Sequence, residues 1–355
     1  MMLYDSVNPH GGDIYGGGTV LDFSANTNPL GTPEGVCEAV RSALPDIHRY
    51  PDPYCRALRE AIARAEGVPE EYILCGNGAA DLIYAYADAV HPKRAAELAP
   101  TFAEYSLALA RRDCAMVRCI LPEANDFAPD EGILAFLRET KPEVFFLCTP
   151  NNPTGRLVGS ALLREILAVC DALGTRLFLD ECFLDLTDGG DGAKPYLAAH
   201  PNLFILKAFT KSHGMAGLRL GYGLSADASL LHAMSEAVPP WNVSSLAQAA
   251  GAAALHEAEF LGRTRALIRT ERPFLAEGLT SLGCRVVPSD ANFLLFSAAP
   301  GLDRALREKG ILIRNCENYS GLAPGWYRIA VRTREENETL LRTIAEVLGQ
   351  KYFVK

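Results

Sequence analysis

The sequence has no long apolar run, no basic tract and no low-complexity segment. No apolar run approaches the ~20 residues that a membrane-spanning helix needs. The formal net charge of −9 reflects 43 acidic against 34 basic residues, without the basic arm or stripe that binds nucleic acid. Residues 1–13 are polar and lack the apolar core of a signal peptide. We therefore predict a cytoplasmic protein that has neither nucleic acid nor a membrane as a partner.

Spacings typical of metal sites and disulfides are also missing. None of the ten cysteines form a Cys-x-x-Cys pair, and the closest two in sequence are Cys114 and Cys119. Most lie among apolar residues, as in "FFLCTP" at 145–150 and "ILAVCDAL" at 166–173. Such surroundings are typical of reduced thiols in a core. The seven histidines show no His-x-x-x-His spacing, so the sequence predicts no metal site.

The middle of the chain alternates short apolar runs with helical periodicity. "EVFFLC" (143–148), "RLFLDE" (176–181) and "LFILKAF" (203–209) are predicted to be strands buried on both faces. Between the first two, residues 160–174 carry apolar positions at helical spacing and end at a glycine. This order indicates a parallel sheet with crossover helices, whose active groups gather at the carboxyl ends of the strands.

The C-terminal part has a different pattern. Residues 244–282 are almost continuously helical, and we expect one long helix with a single break near Pro273. The pattern then predicts, in order, strand, helix, strand, strand and helix, at 291–296, 302–310, 311–316, 326–332 and 337–351. The chain's 355 residues are enough for two domains. We predict a large domain at 45–245 and a smaller α+β domain formed by 1–44 plus 246–355, with an N-terminal arm.

A lysine follows the strand predicted at 203–209. Thr210 and Lys211 lead into a segment rich in small residues, and Arg219 lies in "GLRLGYG". A lysine at the end of a strand ordinarily extends to solvent. A lysine delivered by a buried strand can instead lose its proton through desolvation and form a Schiff base. Lys211 is therefore a candidate reagent, and the motifs around it decide between the two interpretations.

Three further motifs join Lys211. Asp180 ends a buried strand, where an uncompensated carboxylate costs several kcal/mol and needs a cation such as a pyridinium nitrogen. "CGNGAADLI" (75–83) places small residues before a helix whose N–H groups can hold a phosphate, although a Gly-rich turn alone is a weak signal. "CTPNNPTG" (148–155) is a turn that directs the Asn152 amide to the same edge. Together these groups meet the requirements of pyridoxal 5′-phosphate, an electron sink.

These residues carry a family resemblance. Along nearly its full length the chain resembles the fold type I, aspartate-aminotransferase-like enzymes, and within them the histidinol-phosphate aminotransferase branch, through "RYPDP", "GNG", "PTFAEY", "CTPNNPTG", "LDE", "TK…GLRLGY" and "YRIAVR". The finer resemblance is to the L-threonine-O-3-phosphate decarboxylases of cobalamin synthesis, through "HGGD", "DFSANTNPLG", "FAEYSLALA", "PPWNVSSLA" and "ILIRNCENYSGL". It implies an α/β fold with a mainly parallel central sheet, helices on both faces and a smaller α+β domain.

The resemblance also implies how the cofactor is bound. Lys211 would bond to the cofactor aldehyde, and Asp180 would pair with the pyridine nitrogen. Asn152 would hydrogen-bond the ring 3′-oxygen, and Phe102 would stack on the ring. The cofactor phosphate would be held by Gly78, Ala79, Thr210 and Arg219. Tyr50 would contact the phosphate of the partner subunit's cofactor, which implies a homodimer with shared active sites.

For the substrate, the resemblance implies a small phosphorylated amino acid. Arg328 would bind its carboxylate through charge-assisted bidentate hydrogen bonds, beside Asn152. The candidates for its phosphate are His10, Gly11, Gly12, Asn26, Arg314 and Arg332. Arg332 follows Arg328 by four residues in a strand-like run, so we expect both side chains on one face. The alternatives are a surface arginine for Arg332 and an N-terminal residue without a binding role for His10.

Two positions depart from the pattern of many aminotransferases. Phe183 stands where a tyrosine hydroxyl commonly contacts the ring 3′-oxygen, so the ring electronics are expected to differ. The decarboxylase branch has phenylalanine there as well. Ala208 stands where relatives often place Ser or Thr against the cofactor phosphate, which removes a hydrogen bond of ~1.5–3 kcal/mol.

The sequence leaves the reaction open. Only the bond perpendicular to the cofactor ring breaks, so an aminotransferase aligns Cα–H, a decarboxylase aligns Cα–COO⁻, and remote substrate anchors decide between them. We favour decarboxylation of O-phospho-L-threonine. The alternatives are amino transfer of the histidinol-phosphate type and decarboxylation of O-phospho-L-serine, which lacks one methyl group. A non-catalytic binding protein is a remote alternative, because Lys211, Asp180 and Arg328 are all present.

Overall fold

The computed structural model describes residues 10–15 and 20–350. Most of the predicted N-terminal arm, residues 1–9 and 16–19, lies outside them. The strands are β1 Leu21–Asp22, β2 Ile73–Gly76, β3 Arg94–Ala99, β4 Ala115–Ile120, β5 Val144–Cys148, β6 Arg176–Asp180, β7 Leu203–Ala208, β8 Gly221–Leu224, β9 Arg285–Val286, β10 Phe293–Ser297, β11 Ile311–Leu312, β12 Arg314–Asn315 and β13 Trp326–Ala330. The α-helices are α1 Glu34–Ala43, α2 Arg56–Glu66, α3 Gly78–Val90, α4 Glu104–Ala110, α5 Gly132–Thr140, α6 Ser160–Leu173, α7 Phe209–Ser212, α8 Ala228–Glu236, α9 Ser245–Ala254, α10 Ala258–Ser281, α11 Leu302–Glu308 and α12 Arg334–Val347. No helix in these two ranges is both long and apolar enough to span a membrane.

A seven-stranded sheet in the order β2-β8-β7-β6-β5-β3-β4 forms the centre of the larger part. Five adjacent strands, β7, β6, β5, β3 and β4, run parallel to one another, whereas β8 is antiparallel to both β7 and β2. Alternate side chains enter different cores: Phe145 and Leu147 pack in one apolar cluster, and Phe146 and Phe178 pack in another. Because all of β5 is buried, helices must cover both faces of the sheet. The predicted mainly parallel sheet is confirmed.

The three predicted strands are β5, β6 and β7, each one residue shorter than expected. The predicted helix at 160–174 is α6, which ends where Gly174 adopts a left-handed φ of 70°. After β7 the chain turns into α7 at Phe209. Lys211 therefore lies on a single helical turn that follows the strand.

The long helix predicted after residue 244 breaks at a different place. Leu255–Glu257 separate α9 from α10, and Pro273 lies inside α10. The prediction of a break at Pro273 is wrong. A proline removes one N–H donor, but Ile268 and Leu275 are buried on either side of it and hold both halves of α10 against the core.

The smaller part is built on an antiparallel sheet in the order β12-β13-β10-β9. The single strand predicted at 311–316 is divided, because β11 pairs in parallel with β1 while β12 pairs with β13. Ile313, between them, is buried in the core of this part. The chain bends there so that two short strands can serve different partners.

The apolar clusters show where the two parts meet. Val36 of α1 and Ala247 of α9 pack in a cluster with the large sheet, although the predicted division assigns both helices to the smaller domain. Phe23 and Leu275 pack with β10 and β13 in a separate cluster. The boundaries at 44/45 and 245/246 stay a prediction.

The carboxyl ends of the central strands meet at one edge. Asp180 is the last residue of β6, opposite Cys148 of β5 and Leu206 of β7. It therefore lies between the turn that follows β5 and the helical turn that carries Lys211. This is the edge at which parallel sheets place their active groups.

Gly223 offers a test of the packing that supports this edge. A Cβ added at Gly223 would lie 2.6 Å from Cε2 of Phe204 in the buried core. We expect Gly223→Ala to destabilise the protein by about 1–3 kcal/mol, because an overpacked core must shift. The matched control is Gly262→Ala on the exposed side of α10, where nothing lies within 4 Å. Gly262→Ala should stabilise the protein by about 0.5–1 kcal/mol, because alanine has a higher helix propensity than glycine.

Urea unfolding midpoints of the two variants check this prediction. Equal shifts, or a stable Gly223→Ala variant, would show that β8 can move away from Phe204.

Candidate active site

A cavity opens at the carboxyl edge of the sheet, between the larger and smaller parts. The larger part contributes Ala79, Ala80, Phe102, Cys148, Asn152, Asp180, Cys182, Phe183, Ala208, Thr210, Lys211 and Arg219. The N-terminal segment and the smaller part contribute His10, Gly11, Ser24, Ala25, Asn26, Arg314, Tyr319 and Arg328. In the described part of the chain, no group of three or more His, Cys, Asp or Glu side chains is placed to hold a metal ion.

The Asp180 carboxylate lies at the base of the cavity and is buried. It accepts hydrogen bonds from the Tyr105 hydroxyl at 2.6 Å and from the Cys182 backbone N–H at 2.9 Å. Burial raises the pKa of Asp180, and the hydrogen bonds and the nearby Lys211 oppose that shift. The hydrogen bonds thus fix the position of the carboxylate, and a nearby cation would stabilise its charged form against burial.

Lys211 faces the same cavity from α7. Its Nζ lies 5.9 Å from the centre of the Phe183 ring. Desolvation lowers the pKa of Lys211 to about 8, and the positive charges of Arg328 and Arg219 act in the same direction. A substantial fraction of this amine is therefore neutral near pH 8, as a nucleophile requires.

An anion-binding corner lies where α3 begins. Gly78 is the first residue of α3 and has a left-handed φ of 81°. A Cβ added at Gly78 would lie 2.6 Å from Nη2 of Arg219, and one added at Gly221 would lie 2.9 Å from the backbone N of Ala79. Gly78 leaves room for the Arg219 guanidinium at the start of α3, and Gly221 leaves room for β8 to approach the same helix N-terminus. Backbone N–H groups and an arginine are suitable partners for a phosphate.

A third group of contacts joins the two parts of the protein across the cavity. Arg328 of β13 is buried and donates from Nη1 to Oδ1 of Asn152 and from Nη2 to the carbonyl of Ser24, the latter at 2.7 Å. The Tyr319 hydroxyl lies 3.5 Å from the same Oδ1. Because Asn152 Oδ1 accepts these hydrogen bonds, Nδ2 is the group of this side chain that can donate to a ligand.

His10 lies at the mouth of the cavity, beside Phe102. Its ring centre is 5.8 Å from that of Phe102, and its Nε2 is 2.6 Å from Oε1 of Glu104. The next residues are held against Ser24, because the Gly12 N–H donates to Ser24 Oγ at 2.7 Å. Gly11 has no room for a side chain there, since an added Cβ would lie 2.8 Å from the Ser24 carbonyl carbon.

Four predicted residues do not line the cavity, and three of them are Arg332, Gly12 and Gly78. Arg332 lies beyond β13, which ends at Ala330, and it is not among the residues that line the cavity. Its guanidinium instead pairs with Glu336 at 2.6 Å and donates to the carbonyl of Asp22 at 3.1 Å. Gly12 contacts Ser24, and Gly78 lies beneath Arg219.

Tyr50 also lies outside this cavity. Its side chain is 78% exposed and stacks on Trp241, with ring centres 4.5 Å apart. An exposed tyrosine of this kind is compatible with a role in a neighbouring subunit, which stays a prediction.

Some site residues were not anticipated from sequence. Tyr105 and Glu104 come from "TFAEY", where Phe102 alone was assigned a role. Tyr105 stands three residues after Phe102, a spacing that brings side chains to one side of a helical turn. Tyr319 and Ser24 carried no comparable signal, because their contacts depend on how distant segments meet.

The chain matches known proteins over most of its length. Residues 18–344 match the family described as aminotransferase class I and II. The chain belongs to this family. A threonine-phosphate decarboxylase from Salmonella typhimurium is 39% identical over 360 residues, covering 98% of each chain. A histidinol-phosphate aminotransferase from Anaeromyxobacter is 36% identical, covering 94% of this chain and 93% of the relative.

Solved structures of similar proteins agree with the fold. The L-threonine-O-3-phosphate decarboxylase from Porphyromonas gingivalis matches with a TM-score of 0.82 and 26% identity, over 93% of this chain and all of the other. The histidinol-phosphate aminotransferase from Sinorhizobium meliloti, solved in complex with pyridoxal 5′-phosphate, matches with a TM-score of 0.83 and 25% identity, over 93% and 91%. The predicted aspartate-aminotransferase-like fold is confirmed.

The protein is therefore a pyridoxal 5′-phosphate-dependent enzyme, as the sequence predicted. Its cavity fits that cofactor. Asp180 would offer a buried anion to the ring nitrogen, and Lys211 would offer an amine of lowered pKa to the aldehyde. The corner formed by Gly78 and Arg219 would hold the phosphate, with Phe102 in the cavity wall.

The reactivity of Lys211 can be compared with that of Lys207, four residues earlier on β7. Burial disfavours the charge of Lys207, but Tyr222, Asp185 and Glu66 outweigh that effect and raise its pKa well above the ordinary value. Its Nζ lies 3.0 Å from Asp185 and 3.2 Å from Glu66. We expect an amine-acylating reagent to label Lys211 of the cofactor-free protein much faster than Lys207.

The Lys211 rate should level off above pH 8 and fall about tenfold per pH unit below it, because only the neutral amine reacts. Peptide mass spectrometry over a pH series measures both rates. Similar rates for the two lysines, or a Lys211 rate that keeps rising far above pH 8, would contradict the lowered pKa.

Proposed function

We propose that the enzyme decarboxylates O-phospho-L-threonine to (R)-1-amino-2-propanol O-2-phosphate and CO2, a reaction that supplies the cobalamin nucleotide loop. The similarity to threonine-phosphate decarboxylase over 98% of the chain supports this proposal. The substrate side of the cavity supports it as well, since it offers more groups for anions than one carboxylate needs. Phe183, the residue shared with the decarboxylase branch, lines the same cavity.

The observation that carries the proposal is the state of Asn26. Its side chain is buried, yet neither Oδ1 nor Nδ2 has a hydrogen-bond partner within the described residues. Leaving a buried amide unpaired costs about 1–3 kcal/mol per group, so such a side chain is expected to meet a ligand. Asn26 lines the cavity together with His10, Arg314 and Arg328. These groups suit a substrate that carries a phosphate as well as a carboxylate.

The protein's own groups can be assigned to the steps of this reaction. Arg328 and Asn26, with Arg314 and His10, hold the substrate's two anionic groups and fix the rotation about its Cα. The bound cofactor supplies an electron sink for the electron pair of the bond that breaks at Cα. Lys211 Nζ lies in the same cavity and returns a proton to Cα after CO2 leaves. Orientation by remote binding groups is what selects the Cα–COO⁻ bond.

Histidinol-phosphate-type amino transfer is the second candidate. The 36% identity to a histidinol-phosphate aminotransferase over 94% of the chain favours it. Both reactions use the same cofactor site, so the substrate side decides between them. Decarboxylation of O-phospho-L-serine differs from the proposed reaction by one methyl group, a difference of about 1–3 kcal/mol in a pocket.

We further propose that the enzyme is a homodimer in which Tyr50 completes the partner subunit's site. The exposed stack of Tyr50 on Trp241 supports this, since large exposed aromatic groups mark contact surfaces.

A CO2 assay tests the proposed reaction. Purified protein is incubated with pyridoxal 5′-phosphate and O-phospho-L-threonine, without a keto acid. We expect CO2 release that is lost in Lys211→Ala, because that variant has no amine to bond to the aldehyde or to return the proton. O-phospho-L-serine in a parallel reaction measures the preference for the methyl group.

The contrary result is equally specific. No CO2 from either phosphoamino acid, together with amino transfer from histidinol phosphate once 2-oxoglutarate is added, would assign the enzyme to the aminotransferases.

Glu104→Gln tests the role proposed for His10. Glu104 is buried, and the hydrogen bond from His10 is the main cause of its lowered pKa. The glutamine keeps the shape but removes the charge that fixes the imidazole. We expect KM for the phosphorylated substrate to rise about 3–10-fold, equivalent to about 1 kcal/mol, with kcat and cofactor affinity nearly unchanged.

The control is Glu139→Gln, which removes an exposed carboxylate on α5. Steady-state kinetics and cofactor titration of both variants give the comparison. An unchanged KM in Glu104→Gln would remove His10 from the substrate site, whichever reaction the enzyme catalyses.

A further inference from the structure

The Asn28 side chain reaches the helical turn that carries Lys211. Asn28 is buried, and its Nδ2 donates to the carbonyl of Ser212 at 2.7 Å. Ser212 directly follows Lys211 and is the last residue of α7. Asn26, two residues before Asn28, lines the active-site cavity. The stretch of chain that borders the cavity is therefore bonded to the turn that presents the amine.

This hydrogen bond pairs a backbone group that α7 leaves open. The last carbonyls of a helix have no partner within the helix, and α7 has only one turn. The Phe209 carbonyl accepts from the His213 N–H at 3.1 Å, and the Ser212 carbonyl accepts from Asn28. Because Ser212 and Asn28 are both buried, loss of the bond would leave a buried carbonyl unpaired. Asn28 thus fixes the end of the turn, one residue from Lys211.

The Asn28 amide is itself held in one orientation. Its Oδ1 accepts from the Leu30 N–H at 2.9 Å, which leaves Nδ2 directed towards α7. Nδ2 also donates to Oγ1 of Thr264, a fully buried residue of α10, at 2.9 Å. An amide whose oxygen and nitrogen are both paired cannot rotate without losing these bonds. The side chain is therefore a fixed link between the N-terminal segment, α7 and α10.

A second contact joins the same stretch of chain to the residues after α7. Thr32 Oγ1 donates to the Gly214 carbonyl at 2.9 Å. Gly214 has a left-handed φ of 62°, and a Cβ added there would lie 2.7 Å from the carbonyl carbon of Gly31. The two stretches of backbone are in close contact, with no room for a side chain between them. The chain around Asn28 thus follows the end of the Lys211 turn over several residues.

We propose that Asn28 is a positioning residue that holds the end of α7 and thereby keeps Lys211 Nζ in the cavity. The strand β7, which ends at Ala208, holds the turn at its start. Asn28 supplies the anchor at its other end. This role goes beyond the choice of reaction, because both candidate reactions use the amine of Lys211.

The surroundings of Lys211 allow its position to be read out. The ionisable groups that act on this amine come from both parts of the protein and are Asp180, Cys182, Arg219, Arg328 and Asp22. Asn28 and Ser212 carry no charge, so their bond acts on the amine through its position. Burial is the main cause of the lowered pKa of Lys211. An amine that gains contact with water would therefore recover a higher pKa.

Asn28→Ala tests the proposal in the cofactor-free protein. Peptide mass spectrometry measures how fast an amine-acylating reagent labels Lys211 over a pH series. We expect the pH at which the rate levels off to rise from about 8 by about one unit, because water reaches Nζ once the turn is released. If circular dichroism shows that this variant is unfolded, Asn28→Ser gives the same test, since serine keeps an oxygen for the Leu30 N–H but is too short to reach Ser212.

Thr264→Val is the matched control. It removes the other acceptor of Asn28 Nδ2 and keeps the bond to Ser212. Both variants lose a buried hydrogen bond, so urea unfolding should show that both are less stable. Only Asn28→Ala should change the pH dependence of Lys211 labelling. An unchanged pH dependence in Asn28→Ala, or an equal change in both variants, would overturn the proposal.

Steady-state kinetics of the cofactor-loaded enzyme give a second readout, with the substrate that the CO2 or amino-transfer assay identifies. We expect Asn28→Ala to lower kcat about 10-fold and to change KM less than about 3-fold, because the displaced amine serves the chemical step rather than substrate binding. A higher KM with unchanged kcat would show that Asn28 supports the substrate side of the cavity instead. Labelling of the cofactor-free protein does not depend on the reaction, so failure of this proposal is distinguishable from failure of the proposed function.

Discussion

The buried carboxylate of Asp180 is the constraint around which the active site is arranged. It is fixed by Tyr105 and Cys182 at the end of a strand that is covered on both faces. These neutral hydrogen bonds hold its position, but a charge removed from water at such a site costs several kcal/mol unless a cation meets it. The pyridinium nitrogen of the cofactor would supply that cation. Cofactor binding would then offset the cost of burying this carboxylate, which would couple stability to the bound state.

The same strand and its following turn place two lysines in opposite electrostatic surroundings. Lys207 on β7 is enclosed by Asp185 and Glu66, which stabilise its charged form and raise its pKa. Lys211, one helical turn after the strand, shares its cavity with Arg328 and Arg219, which disfavour a further positive charge. Burial acts on both amines, so the sign of the neighbouring charges decides which lysine can react.

The sequence predicted the sheet and the identity of the cofactor because both are indicated by local patterns. Buried strands read as continuous apolar runs, Asp180 is the last residue of β6, and Lys211 lies on the helical turn that follows β7. Arg332 was expected at the substrate, whereas its guanidinium pairs with Glu336 on α12, a contact that strand alternation does not indicate. The contact of Arg328 with Ser24 could not be predicted, since it joins residues 304 positions apart in the chain. Sequence thus specified the groups attached to one sheet edge better than those brought in by the smaller part.

Arg328 shows how the smaller part reaches the cavity. Its guanidinium is buried and lies 5.6 Å from the centre of the Phe293 ring, and its hydrogen bonds within residues 10–15 and 20–350 go to neutral oxygens, those of Asn152 and Ser24. These contacts hold the Arg328 guanidinium in place without neutralising its charge. A substrate carboxylate bound there would gain a charge-assisted, bidentate pair and would not have to displace an anionic side chain. Arg328 lies on β13 and Asn152 follows β5, so their hydrogen bond also joins the two parts of the enzyme across the cavity. Substrate binding at Arg328 would therefore be linked to the relative position of those parts.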